Sequence, residues 1–198
     1  FQGPNLFSNV VVGTHTITVN YGSDCTVNTT VIVADGNAFE ASITAFENLD
    51  CNADNSGTIT IAADNFGAGG YEYSLDATTF VGPFTAPEQI TGLSAQAYTI
   101  TVRDVDNPIA GCTMTLNQTL TEPTPVVAAA SITEEFTCNN TGATITASAS
   151  GGTPSYEYQL ENNVGGIITA YQNSAIFNDV PAGDYIVRAR DTNLCADP

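Results

Sequence analysis

The 198-residue chain has no lysine and no tryptophan, one histidine and one methionine, and its 3 cations are Arg103, Arg188 and Arg190. Against 21 acidic residues they leave a formal charge of -18. Nucleic acid and anionic membrane surfaces both need clustered Lys or Arg, so neither is expected as a partner. Without lysine there is no Schiff-base amine, no P-loop and no Lys–Asn isopeptide cross-link. A single histidine leaves little material for a nucleophile–base pair or a His-rich metal site. Apolar runs are short, the longest being VVAAA at 126–130, far below the roughly 18 residues of a membrane-spanning helix. The opening FQGPNLFSNVVV has neither a basic region nor a small-residue cleavage site and is not read as a signal peptide.

What remains is globular in composition, with 42% hydrophobic and 12% charged residues, because a disordered acidic tail lacks the apolar surface that offsets chain entropy. The dominant feature is repetition. NLFSNVVVGTHTITVNYGSDC (5–25), EQITGLSAQAYTITVRDVDNPIAGC (88–112) and AIFNDVPAGDYIVRARDTNLC (175–195) share an apolar pair, a turn, an alternating strand and a polar loop ending in Cys. A second block, AFENLDCNADNSGTITIAA (45–63), recurs as EEFTCNNTGATITAS (134–148). Cys25 to Cys112 and Cys51 to Cys138 are steps of 87 residues, and Cys112 to Cys195 is a step of 83. Turn residues at DGN (35–37) and EPTP (122–125) mark boundaries. Residues 1–36 therefore read as the C-terminal part of one repeat, 37–124 as a complete repeat and 125–198 as a repeat lacking its last strand, and the parent protein is expected to be longer.

The local pattern is all-β. In THTITVNY, His15, Ile17, Val19 and Tyr21 alternate with Thr14, Thr16, Thr18 and Asn20, a period of two. AYTITVRD does the same, with Tyr98, Ile100 and Val102 inward. TITIAA, YEYSL, YEYQL and VVAAASI are further short strands between Gly, Asn, Asp and Pro. About seven strands fit in one repeat, the size of an immunoglobulin-like β-sandwich. LSAQAY (93–98) and VPAGDY (180–185) each place a tyrosine after a tight turn at a strand start, as in a tyrosine corner.

With a Cys ahead of a polar loop and a TIT strand, then Gly-Gly and an aromatic pair (GAGGYEYSLD at 67–76, GGTPSYEYQL at 151–160), the L-x-A-x-x-Y turn, the TVRD strand end and a Cys before TEP, the chain resembles the SprB-type repeats of giant surface adhesins in gliding Bacteroidota. The resemblance runs over essentially the whole chain. It departs where Gly70 meets Tyr71 without the T-P-S of the other repeat, and where Asn107–Gly111 lengthens a hairpin. It implies tandem immunoglobulin-like sandwiches of about 83–87 residues in a cell-surface filament, exported by type IX secretion and serving adhesion, gliding or cell-cell contact. The partners so implied are neighbouring repeats, other filament chains and a surface glycan or cell-surface ligand. Two other readings stay open: a subunit of a multi-chain appendage for attachment or prey capture, and a non-catalytic accessory module of a secreted carbohydrate-active enzyme or peptidase.

No residue is assigned a catalytic, cofactor-binding or metal-ligating role. The five cysteines lack C-x-x-C spacing and histidine partners and fit extracellular disulfides. Cys51–Cys112 and Cys138–Cys195 are favoured, within one repeat each, with Cys25 left for an upstream partner. The rival pairing, Cys25–Cys51 and Cys112–Cys138, folds back across the linker. His15 falls where the other repeats have Tyr98 and Tyr185 and reads as a corner residue. Asp50, Asn52, Asp54 and Asn55 copy the opening of a calcium loop, but Asn55 replaces its glycine and Ile61 its final Glu, so a polar turn is expected. Asp104 and Asp106 beside Asn107 are a second such cluster, and loose Ca2+ binding by the acidic surface is the one cofactor left open. Glu72 and Glu157 hold the same position in different repeats, a strand face rather than a glycosidase pair. The arginines are expected to pair locally near Asp104 and Asp191.

Overall fold

The computed structural model describes residues 6–21, 25–34, 36–108, 112–138 and 141–197. Asp35 of the DGN turn, the end of the 107–111 insertion, the Asn pair of TCNNTG and the first residues of the opening segment lie outside the described residues. The described chain is all-β, as expected, in small antiparallel sheets.

An N-terminal hairpin joins β1 (Gly13–Tyr21) to β2 (Cys25–Val33) and pairs with no other strand among the described residues. The first sandwich follows. One sheet has the order β3-β4-β7, from Glu40–Glu47, Gly57–Asp64 and Glu88–Leu93. The other has the order β6-β5-β8-β9, from Val81–Phe84, Tyr71–Ser74, Ala97–Asp104 and Thr113–Thr119. The second sandwich repeats this with β10 (Val127–Glu134), β11 (Ala143–Ser150) and β14 (Ile176–Val180) against β13 (Ile167–Gln172), β12 (Glu157–Asn162) and β15 (Tyr185–Arg190), in the orders β10-β11-β14 and β13-β12-β15. Its counterpart of β9 is represented by one bridge, Arg190 to Ala196.

Each sandwich has its own core. In the first, period-two alternation turns Ile59, Ile61 and Ala63 of β4 and Tyr98, Ile100 and Val102 of β8 inward, with Tyr71, Leu93 and Leu120 beside them. The buried Tyr71 ring packs against Phe66 and Phe84, and its hydroxyl donates to the Ala86 carbonyl at 2.7 Å, so its polar tip is satisfied inside the core. The second core gathers Val126, Ala147, Tyr158, Leu160, Phe177, Val180 and Ala189.

Two of the three expected corners form. The Tyr98 hydroxyl donates to the Ser94 carbonyl at 3.0 Å, four residues back, and His15 Nε2 donates to the Val11 carbonyl at 2.6 Å across the same interval. An imidazole thus closes the turn that a phenol closes in the next repeat. Tyr185 makes no such bond; its ring stands beside Gly183 instead.

Candidate functional site

Antiparallel strands joined by short connections alternate in direction, which sorts the loops of each sandwich between two poles. The chain enters at one pole, where the loops after the second and sixth strands also lie. The turn after the first strand lies at the other. In the second sandwich the entry pole is organised by Asp191, only 2% exposed. It continues the inward phase of Tyr185, Val187 and Ala189 past the end of β15 and meets the backbone instead of the core. Its Oδ1 accepts from the Asn193 and Cys195 amides, both at 2.9 Å, and its Oδ2 from the Thr153 amide at 2.7 Å. One carboxylate thus ties the loop bearing Cys195 to the loop bearing Thr153.

The first sandwich builds the same bracket from Asp104, which accepts from Gly67 at 3.1 Å and Asp106 at 2.9 Å. In both, the aspartate amide donates to the cysteine carbonyl at 3.0 Å, Asp104 to Cys112 and Asp191 to Cys195. Asp106 accepts from the Gly69 amide at 2.7 Å, so the Asp104–Asp106 cluster is engaged with its own loops.

The exit pole of the first sandwich meets the entry pole of the second through the EPTP linker, which is strapped on both sides. Leu49 donates to the Thr121 carbonyl and Thr121 to Asn48 Oδ1. Ala53 donates to Glu122 Oε2 at 2.6 Å and Asn52 Nδ2 to the Pro123 carbonyl at 3.0 Å. From the second sandwich, Gly152 donates to the Thr124 carbonyl at 2.8 Å. Gly152 has φ +56°, and a Cβ there would collide with the Asp191 carboxylate and with Val126; only glycine lets the loop close on the linker. Asn193 Nδ2 then reaches the Asp50 carbonyl at 3.2 Å.

A disulfide bolts this junction. It joins Cys51 to Cys195, with Cα atoms 5.5 Å apart and a sequence separation of 144. Both sequence-based pairings are thereby corrected: Cys51 and Cys195 are used by each other, and Cys25, Cys112 and Cys138 are free thiols. The reason is topological. Cys51 follows the first strand of its sandwich and Cys112 the sixth, so they sit at opposite poles, separated by roughly a strand length of about 25 Å. A disulfide needs Cα atoms within about 7 Å. The partner at the right pole belongs to the next sandwich.

The turn carrying Cys51 is the calcium-loop lookalike. Asp54 accepts through Oδ1 from the Ser56 amide and hydroxyl and through Oδ2 from the Cys51 amide. The Ser56 amide, foremost among these, holds the Asp54 carboxyl below its ordinary range. The turn is therefore braced at neutral pH and loses that brace as pH falls through the lowered value. Among the described residues, no group of three or more His, Cys, Asp or Glu side chains is arranged to hold a metal ion.

The repeat interval recurs in the comparison with known families. The SprB repeat model matches residues 43–80 and 130–165, segments that begin 87 residues apart. The chain carries SprB-type repeats. No curated protein matches it. SprB repeats are a structural repeat family of cell-surface, adhesin-like proteins.

Within these SprB-type repeats the arginines correct the expected pairing. Neighbouring strand residues point to opposite faces, so Arg103 and Arg190 turn outward where Asp104 and Asp191 turn inward. Their partners lie across the sheet. Arg103 opposes Glu72 and contacts it at 2.6 Å, and Arg190 opposes Glu157 at 2.6 Å. Arg188 reaches Glu161 at 3.6 Å. An aromatic ring completes two of these sites: Arg103 lies over Phe80, its guanidinium carbon 3.4 Å from the ring centre, and Arg190 over Tyr171 at 4.2 Å. Half-exposed pairs of this kind are worth about 1 kcal/mol or less. Glu72 and Glu157 are thus ion-paired sheet residues in separate sandwiches. The surface depression at Leu75, Leu93, Ser94, Gln96, Tyr98 and Thr99 contains no carboxylate, imidazole or thiol.

Proposed function

We propose that the chain is a load-bearing segment of a long extracellular filament or adhesin, in which residues 1–36, 37–124 and 125–198 belong to successive repeats and the array serves attachment, gliding or cell-cell contact. The observation that carries this reading is the junction. Two sandwiches with separate cores are held end to end by a strapped linker and a cystine, an arrangement that resists bending and transmits tension. The cystine fits an oxidising, extracellular setting. A charge of -18, with every arginine paired to a glutamate, gives the rod an acidic surface that repels its neighbours and favours solubility.

The β1–β2 hairpin fits the same picture. It corresponds to β8–β9, whose apolar face is covered by the opposing sheet, yet on the matching face Val19 is 58%, Val27 70% and Val31 42% exposed. A sheet of two strands with uncovered apolar side chains is not stable by itself. A multi-chain appendage is the second reading this exposure allows. Electron microscopy of native material sheared from cells separates the two. A single-chain array is expected to be a thread about 20–30 Å wide and beaded every roughly 40 Å. A wider tube with several chains per cross-section would replace it with the appendage, and unconnected globular particles would remove both.

A further inference from the structure

We propose that Cys25, Cys112 and Cys138 are each half of an inter-repeat disulfide of the Cys51–Cys195 kind, so that every junction of the array is bolted in the same sense: the cysteine after a repeat's first strand to the cysteine after the sixth strand of the next repeat. The inference rests on the tandem-array reading and adds a covalent pattern to it.

Position comes first. Cys138 lies four residues beyond β10, as Cys51 lies four beyond β3, which places it at the exit pole. Cys112 is held by the Asp104 amide as Cys195 is by the Asp191 amide, which places it at the entry pole, and Cys25 opens β2 as the corresponding residue of the hairpin. Each free thiol therefore occupies the position of one that is bridged. Access comes second. Cys25 and Cys138 are exposed, and Cys112 is partly buried at the edge of the first core as the bridged Cys195 is at the edge of the second; none is fully sealed in a core as an inert thiol would be. Direction comes third. Cys112 and Cys138 sit at opposite poles of different sandwiches and cannot pair with each other in the array, so their partners are poles of adjoining repeats. By this rule Cys112 and Cys25 each take the exit-pole cysteine of the repeat before their own, and Cys138 takes the entry-pole cysteine of the repeat after it. Each closure joins two thiols through one S–S bond. The two electrons and two protons pass to the disulfide of an exported thiol oxidoreductase, which leaves as the dithiol.

Such bridges overlap. The loop that Cys51–Cys195 closes contains Cys138, whose own bridge would open the next loop before the first is finished. Tension along the filament would then pass from bridge to bridge, and no sandwich would carry the whole load through its hydrogen bonds.

The test is thiol mapping of the full-length protein as secreted. It is alkylated before reduction, digested without reduction and read by mass spectrometry. Cys25, Cys112 and Cys138 are expected to resist the first alkylation and to appear in cross-linked peptides, the first two with an exit-pole cysteine and Cys138 with an entry-pole cysteine of another repeat. Alkylation of these three while Cys51–Cys195 stays linked, or a Cys112–Cys138 peptide, would overturn the proposal and leave the array reading standing. A parent protein without flanking repeats of this kind would overturn both.

Discussion

Pulled by its ends, the oxidised chain should stop extending roughly 500 Å short of a Cys51→Ser variant. The Cys51–Cys195 bridge spans 144 residues, and each residue adds about 3.5 Å when fully extended. While the bridge holds, force passes from residue 51 to residue 195, and the segment between them, with all of the second core and most of the first, is outside the load path. The variant should still fold, because the two cores are separate and the linker hydrogen bonds remain. Single-molecule force spectroscopy with terminal handles reads the difference directly, and reduction of the wild-type chain should reproduce the variant. Equal extension of the two would mean that the bridge does not form in solution.

The second large effect is expected at Asp191. Replacement by alanine removes the acceptor for the Thr153, Asn193 and Cys195 amides at a site that is almost wholly buried. Hydrogen bonds to a charged acceptor contribute about 1.5–3 kcal/mol each, and part of the loss is recovered when freed amides at the pole reach water. Asp191→Ala should therefore destabilise the second sandwich by about 3–5 kcal/mol, a large share of the 5–15 kcal/mol typical of a domain. Asp104→Ala should cost the first sandwich less, since its side chain accepts two backbone bonds against three. Denaturant unfolding followed by circular dichroism measures both. A change below about 1 kcal/mol at Asp191 would show that the bracket does not hold the pole together. Because the same carboxylate positions Cys195, the variant should also form the inter-sandwich bridge more slowly.

The fold was largely legible because its signals are local. A period of two in THTITVNY and AYTITVRD states which side chains face inward, and the buried set Tyr98, Ile100 and Val102 follows from it. The His15 corner was legible because a repeat lines that residue up with a tyrosine. The same alternation carries the answer for the acids and the arginines. It puts Asp104 and Asp191 in the inward phase and Arg103 and Arg190 in the outward one, so the arginines had to look across the sheet to Glu72 and Glu157 rather than along the strand. The cystine is hidden for a different reason. Spacing along the chain suggests pairs within a repeat, whereas the pole on which a loop lies depends on how many strands precede it. Counting strands places Cys51 and Cys112 at opposite ends of one sandwich and leaves the next repeat as the only source of a partner at the right distance. The hydrogen bonds that strap the linker had no signal of this kind, since Asn52, Glu122 and Asn193 are ordinary polar loop residues until the two poles are brought together.

The covalent link at the centre of this structure crosses between sandwiches. Non-reducing digestion of the purified 198-residue chain, followed by mass spectrometry of the linked peptides, tests it most directly. The expected product joins the peptide containing Cys51 to the peptide containing Cys195, with Cys25, Cys112 and Cys138 alkylated as thiols. Peptides joining Cys51 to Cys112 and Cys138 to Cys195 would contradict it, and would return the cystines to the inside of each repeat.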